Sequence, residues 1–179
     1  MEIVENIPVL EEILNAWKPA LGADFTAYAN HCYRVLNYCH ALCKTDALAD
    51  HDKIVIATAF HDMGIWSAQT FDYLAASKKL ALEYLTESSQ LAWRDEIVEM
   101  IDYHHKITPL GKDRQLAEYF RRADWIDVSR GLLKFGLPAK FIKSVAVRFP
   151  NAGFHRCLFI LFTRRVCTRP FSPLPMLKL

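Results

Sequence analysis

The run IVIATAFHDMGI, residues 54–65, constrains this chain more than any other stretch. It is too short to cross a bilayer and reads as a helix buried in a protein interior. It ends in the adjacent pair His61-Asp62, with Gly64 two residues on, so an imidazole and a carboxylate emerge where water is scarce. A buried carboxylate needs a cation, a set of hydrogen-bond donors, or a raised pKa. A divalent metal satisfies both groups at once, because neutral imidazole supplies nitrogen and ionised carboxylate supplies oxygen. The alternative is a hydrogen-bonded core pair, and other residues decide between the two.

At 179 residues the chain suits one domain spanning 1–179 with a full apolar core. No apolar run approaches the roughly 20 residues of a membrane helix. The start, MEIVENIPVLEEIL, is acidic where a signal peptide is basic, so a cytoplasmic location is expected. Five cysteines lack paired-ligand spacing. Cys32, Cys39 and Cys43 share a helical stripe with Phe25, Tyr28, Ala29 and Leu36, and are read as small reduced core residues.

Charge is unevenly spread. Up to Asp127 the chain holds 12 Lys and Arg against all 20 Asp and Glu; beyond it lie 10 basic residues and no acid. Such asymmetry suggests attraction to an anion, although a basic segment can also neutralise an acidic body. The overall charge of +2 disfavours a dedicated nucleic-acid binder.

Along the chain, apolar spacing predicts a short helix over 8–21, interrupted by Pro19 and Gly22, with Asp24 as N-cap of the next. From Phe25 to Cys43 the apolar positions follow a helical period, which puts His31 at the stripe's edge and Arg34 toward the polar side. Residues 45–50 read as a polar connection. His51-Asp52, a second His-Asp pair, stands among charged residues at a helix start and is read as surface. Gly64 and the polar run after Trp66 are expected to end the buried helix. Further helices are predicted over 71–85, 93–105 and 115–129. In the first of the last two, His104 shares the buried face with Ile97, Met100 and Ile101, while His105 lies at its edge. In the second, Asp124 and Asp127 fall on the side defined by Leu116, Phe120 and Ala123, where solvated charge does not belong. Residues 138–148 and 154–167 read as helices, the latter buried against the domain, and FSPLPMLKL as an extended wrap. No repeat or hairpin pattern occurs, and the fold class is all-α.

The stretches HCYRV (31–35), AFHDMG (59–64) and RADWID (122–127) resemble, in order and separation, the elements of the HD-domain superfamily of metal-dependent hydrolases. The resemblance covers about residues 25–128 and implies a compact helical bundle, with the basic helices and tail of 129–179 packing on it. It implies that His31, His61, Asp62 and Asp124 ligate one divalent cation. Mn, Fe or Co suits that set, and Zn, Ni and Mg are open. Metal-assisted hydrolysis is the implied chemistry, with Asp62 both ligand and catalytic residue. Arg34 is either a phosphate-holding residue or an exposed helix arginine. Asp127 is read as the partner of a ligand histidine or of an arginine. Asp72 is either a proton donor to the leaving group or simply an N-cap or surface charge. His104, His105 and Lys106 are candidates for contacting an anionic substrate. A second ion on His104 and His105, or simple packing, is the alternative, although two-ion relatives draw such histidines from separated positions.

The leading expectation is a phosphohydrolase acting on a small phosphorylated metabolite or nucleotide. A di-iron oxygenase or hydratase and a non-catalytic, metal-stabilised binding domain are the alternatives. Oligomeric state is left open, a homo-oligomer included.

Overall fold

A computed structural model describes residues 1–43 and 48–178, and among these described residues ten α-helices make up the fold. No strand occurs among the described residues, and the architecture is an all-α bundle. The chain opens with α1 (Pro8–Ala16) and α2 (Lys18–Leu21). Each carries a proline in its first turn, where a missing N–H leaves no helical bond unmade. Pro19 therefore starts a helix rather than breaking one. Asp24 does not act as the expected N-cap; it lies in a 3-10 turn and accepts a hydrogen bond from Trp66 Nε1 at 3.0 Å.

The bundle is built on α3 (Phe25–Cys43), with α8 (Gln115–Val128) packed along its length. The helical period of α3 buries Tyr28, Cys32, Val35, Leu36 and Cys39 completely. It also buries Arg34, which corrects the placement toward the polar side that the wheel suggests. A helix packed on several sides has no polar side, and a local period does not count the neighbours.

The buried run becomes α4 (Leu48–Phe60), followed by a tight turn and the short α5 (Gly64–Ser67). Of the expected connection at 45–50, residues 45–47 lie outside the described residues, and 48–50 are already helical. His51 is half-buried with its ring edge-on to His40, so only Asp52 of that pair is at the surface. Gly64 does not end the helix by conformational freedom. It permits close approach: a Cβ there would meet the Tyr73 carbonyl oxygen, and Ser77 N and Oγ at 2.8 and 2.9 Å.

Next come α6 (Leu74–Glu87) and α7 (Arg94–Tyr103), whose first-turn Asp95 and Glu96 suit the positive end of its dipole. Ile97, Met100, Ile101 and His104 are all fully buried on one face. On α8 the buried side runs through Ala117, Glu118, Phe120, Ala123, Asp124 and Asp127, while Leu116 is only half-buried.

The chain ends with α9 (Ala139–Arg148) and α10 (Phe154–Thr168). Burial of α10 is less than expected: Phe154 is enclosed, but Phe159 is 66% exposed. The tail is not a continuous extended wrap. It turns back to bury Met176 beside Ile65, Phe71 and Tyr73, and Ile107 N donates to Lys178 O at 2.8 Å. No helix among the described residues is long and apolar enough to cross a membrane.

Candidate metal centre

Four helices deliver the polar residues of the core to one place. His31 comes from the middle of α3, His61 and Asp62 from the turn after α4, His104 and His105 from the end of α7, and Asp124 from α8. Tyr28 Oη donates to Ala59 O at 3.0 Å, tying α3 to the last turn of α4 and setting the two histidines side by side. Phe154 stacks on the His31 ring with centroids 4.0 Å apart. His31, His61, His104 and Asp124 are fully buried, and Asp62 is 2% exposed.

Hydrogen bonds at the far side of each ring decide which nitrogen faces inward. His61 Nδ1 donates to Thr58 O at 2.8 Å, and a carbonyl can only accept. His31 Nδ1 donates to Asp127 Oδ2 at 2.7 Å. Both Nε2 atoms are thereby left as bare acceptors, and they face each other at 2.9 Å. Two lone pairs at that distance repel unless a positive charge lies between them. The same two nitrogens lie 3.6–3.8 Å from Asp62 Oδ2 and from Asp124 Oδ1. Asp62 Oδ1 and both oxygens of Asp124 are buried and accept no hydrogen bond. Burial opposes the charge of these carboxylates, yet the surrounding imidazoles hold both below the ordinary carboxylate range. Burial holds His61 down to about 4, so its ring is neutral near pH 7. Neutral nitrogen beside ionised, unsatisfied oxygen is the donor set a divalent cation requires, and the residues fit one.

The outer oxygens point to a second group. His104 Nε2 is 3.4 Å from Asp62 Oδ1, and His105 Nδ1 is 3.2 Å from Asp124 Oδ2. His104 Nδ1 donates to Ile101 O at 2.6 Å, which again leaves Nε2 as the acceptor. Tyr73 Oη touches both rings, at 3.2 Å from His104 Nε2 and 3.0 Å from His105 Nε2. Two potential ion-holding triads result, His31-His61-Asp124 and Asp62-His104-His105. Their carboxylates span the space between them.

A family model described as the HD domain matches residues 28–129. The chain belongs to the HD-domain family. No curated protein and no solved structure gives a match. The HD domain runs from α3 to the end of α8, so both triads lie within it. Membership places the chain in a superfamily of metal-dependent hydrolases.

Around the centre of this HD domain the remaining site residues stand as follows. Asp127 grips His31 and Arg34 together: Arg34 Nε and one terminal nitrogen reach its two oxygens at 2.5 and 2.8 Å. The other terminal nitrogen of Arg34 donates to Phe149 O at 3.0 Å. Arg34 thus faces Asp127, on the Nδ1 side of His31, and not the Nε2 cluster. Asp72 is exposed, its N–H donating to Thr70 Oγ1. The Lys106 carbonyl accepts from Arg121 at 3.1 Å and from Trp125 Nε1 at 3.2 Å. Sequence reasoning missed Tyr73, because a tyrosine in an apolar context carries no local sign that its hydroxyl will meet two imidazoles. A cavity of about 330 Å³ opens beside Tyr73 and His105, walled by Phe71, Trp125, Leu158 and Phe162.

Proposed function

We propose that this HD domain is a metal-dependent phosphohydrolase of a small phosphorylated metabolite or nucleotide. The observation that carries the reading is the facing Nε2 pair of His31 and His61, closed off by two buried carboxylates with unsatisfied oxygens. Two nitrogens and two oxygens leave positions on a six-coordinate ion open to water and substrate. A divalent ion bound there supplies Lewis acidity and lowers the pKa of water. Mn, Fe or Co suits the mixed donors best.

The chain's own groups do the rest. Asp127 and Thr58 O hold the two rings in the tautomer that presents Nε2. Burial works against a charged His105, but the Asp124 carboxylate raises its pKa overall. His105 also lines the cavity, so it can offer a proton and positive charge to a phosphoryl group or its leaving oxygen. In this reading the leaving-group proton comes from His105 and not from the exposed Asp72. His104 and Lys106 flank that position. The apolar walls of the cavity suit the uncharged body of the ester. The five cysteines lack paired-ligand spacing, which supports a reducing, cytoplasmic setting.

The test is elemental analysis of the purified protein, then a phosphate-ester panel with the preferred metal. Asp62→Ala and Asp124→Ala are each expected to abolish turnover; activity surviving in both variants would sink the reading.

A second reading rests on a separate observation, the outer oxygens of Asp62 and Asp124 aimed at His104 and His105. It makes the centre a two-ion site, as in a di-iron oxygenase or a hydratase. Two irons per chain would favour it, and one ion per chain favours the hydrolase.

A further inference from the structure

Residues 128–179 carry ten Lys and Arg without one acid, and the metal centre uses none of them. Three of these cations, Arg130, Lys134 and Lys143, gather around a cavity of about 540 Å³. Its inner wall is Arg34 and Asp127, and none of the residues of the two metal-holding triads lines it. We propose that this cavity is a second, metal-independent site that binds a small, multiply charged phosphate compound.

Four features converge on that ligand. Among the described residues, Arg130, Lys134 and Lys143 form no ion pair, so their charge faces the cavity uncompensated. The one acid in the wall, Asp127, is already neutralised by Arg34. The helix α9 begins at this cavity: Ala139 and Lys143 line it, and its start has no side-chain cap and no acid in the first turn. Its free N–H groups therefore add a fixed positive end to the exposed lysines. Finally, Gly131 shapes the wall: a Cβ there would come within 2.9 Å of Ile142 Cγ2, so glycine lets the turn after α8 close against α9.

Volume decides between ligand classes. A concavity of this size matches small-molecule sites, whereas a nucleic-acid surface would be a broad stripe. Three cations and a helix start exceed what a single phosphate needs and suit a di- or triphosphate group. Tyr38, Ile142 and Ala146 offer an apolar side to the rest of such a molecule. Asp127, bonded to His31, stands between this cavity and the metal centre, and His155 lines both this cavity and the one beside His105.

Titration calorimetry of inorganic pyrophosphate into metal-stripped protein tests the proposal. Saturable one-to-one binding is expected. The pair Lys134→Ala/Lys143→Ala, both at exposed positions, should weaken it by at least about tenfold, since charge-assisted contacts supply the affinity. Lys79→Ala/Lys112→Ala removes equal charge elsewhere and should change it by less than about twofold, as bulk charge is screened. Asp124→Asn should leave it intact. Absence of saturable binding, equal loss in both lysine pairs, or loss in Asp124→Asn would each overturn the proposal. So would a short single-stranded RNA that binds far more tightly than pyrophosphate and loses affinity through the same two lysines.

Discussion

Asp127 accepts the Nδ1 proton of His31 at 2.7 Å while the same carboxylate holds Arg34 through two further hydrogen bonds. One buried side chain therefore orients an imidazole of the candidate metal centre and neutralises a cation. Removing its charge by Asp127→Asn frees the His31 tautomer and strands a buried guanidinium. Metal affinity is expected to fall about 10–100-fold. Folding stability is expected to fall by about 3–5 kcal/mol, as for a broken buried pair. Metal titration and urea unfolding measure the two losses; parental metal affinity in the variant would show that Asp127 does not position His31.

The oxygens of Asp62 and Asp124 lack hydrogen-bond donors in the metal-free protein, where the surrounding imidazoles alone stabilise the carboxylates. Asp124→Asn removes that attraction, so the metal-free variant should melt somewhat below the metal-free parent. At a metal concentration 100 times its Kd the parent gains about 2.7 kcal/mol from binding, and the variant should gain none. Thermal melts with and without Mn²⁺ read both. A variant that is still stabilised by the ion would remove Asp124 from the ligand set.

Glu118 reports on acid stability. Burial would raise its pKa, but Arg121, the Leu110 N–H and Arg122 bring it down to about 2. An unfolded Glu titrates near about 4.3, so the folded state binds the proton less tightly. The stabilisation is present above about pH 4 and is lost as pH falls toward about 2. Glu118→Gln should therefore lower stability at pH 7 and flatten the acid limb between those values. An unchanged slope in pH-dependent melts would contradict the assignment.

Gly64→Ala tests the reason for glycine in the HDMG stretch. The added methyl meets backbone of α6 and Ser77 Oγ, where the Gly64 N–H already donates at 2.9 Å. A cost of about 1–3 kcal/mol is expected from overpacking. Because Tyr73 is among the atoms met, its hydroxyl should also shift against His104 and His105. Urea unfolding at parental stability would show that α6 yields freely.

Several of these relationships were legible before any fold was known. Asp124 and Asp127 stood on the apolar stripe of α8, and His104 on that of α7, because a period of 3.6 residues assigns faces locally. Arg34 is placed too far toward the polar side because burial of a helix face depends on how many neighbours surround it. The exposure of Phe159 on α10 escaped for the converse reason, since an apolar side chain does not announce whether anything will cover it.

By itself the sequence determined most of the helices and the all-α class, and it singled out His31, His61, Asp62 and Asp124 as candidate ligands. Hydrophobic periodicity is local, and a carboxylate placed on an apolar face demands a partner wherever the helix goes. Only the tertiary structure decided that Asp127 serves two side chains, that Tyr73 joins His104 to His105, and that α9 closes a basic cavity behind Arg34. Those contacts depend on the relative placement of helices distant in the chain, which arises from packing and leaves no period to read.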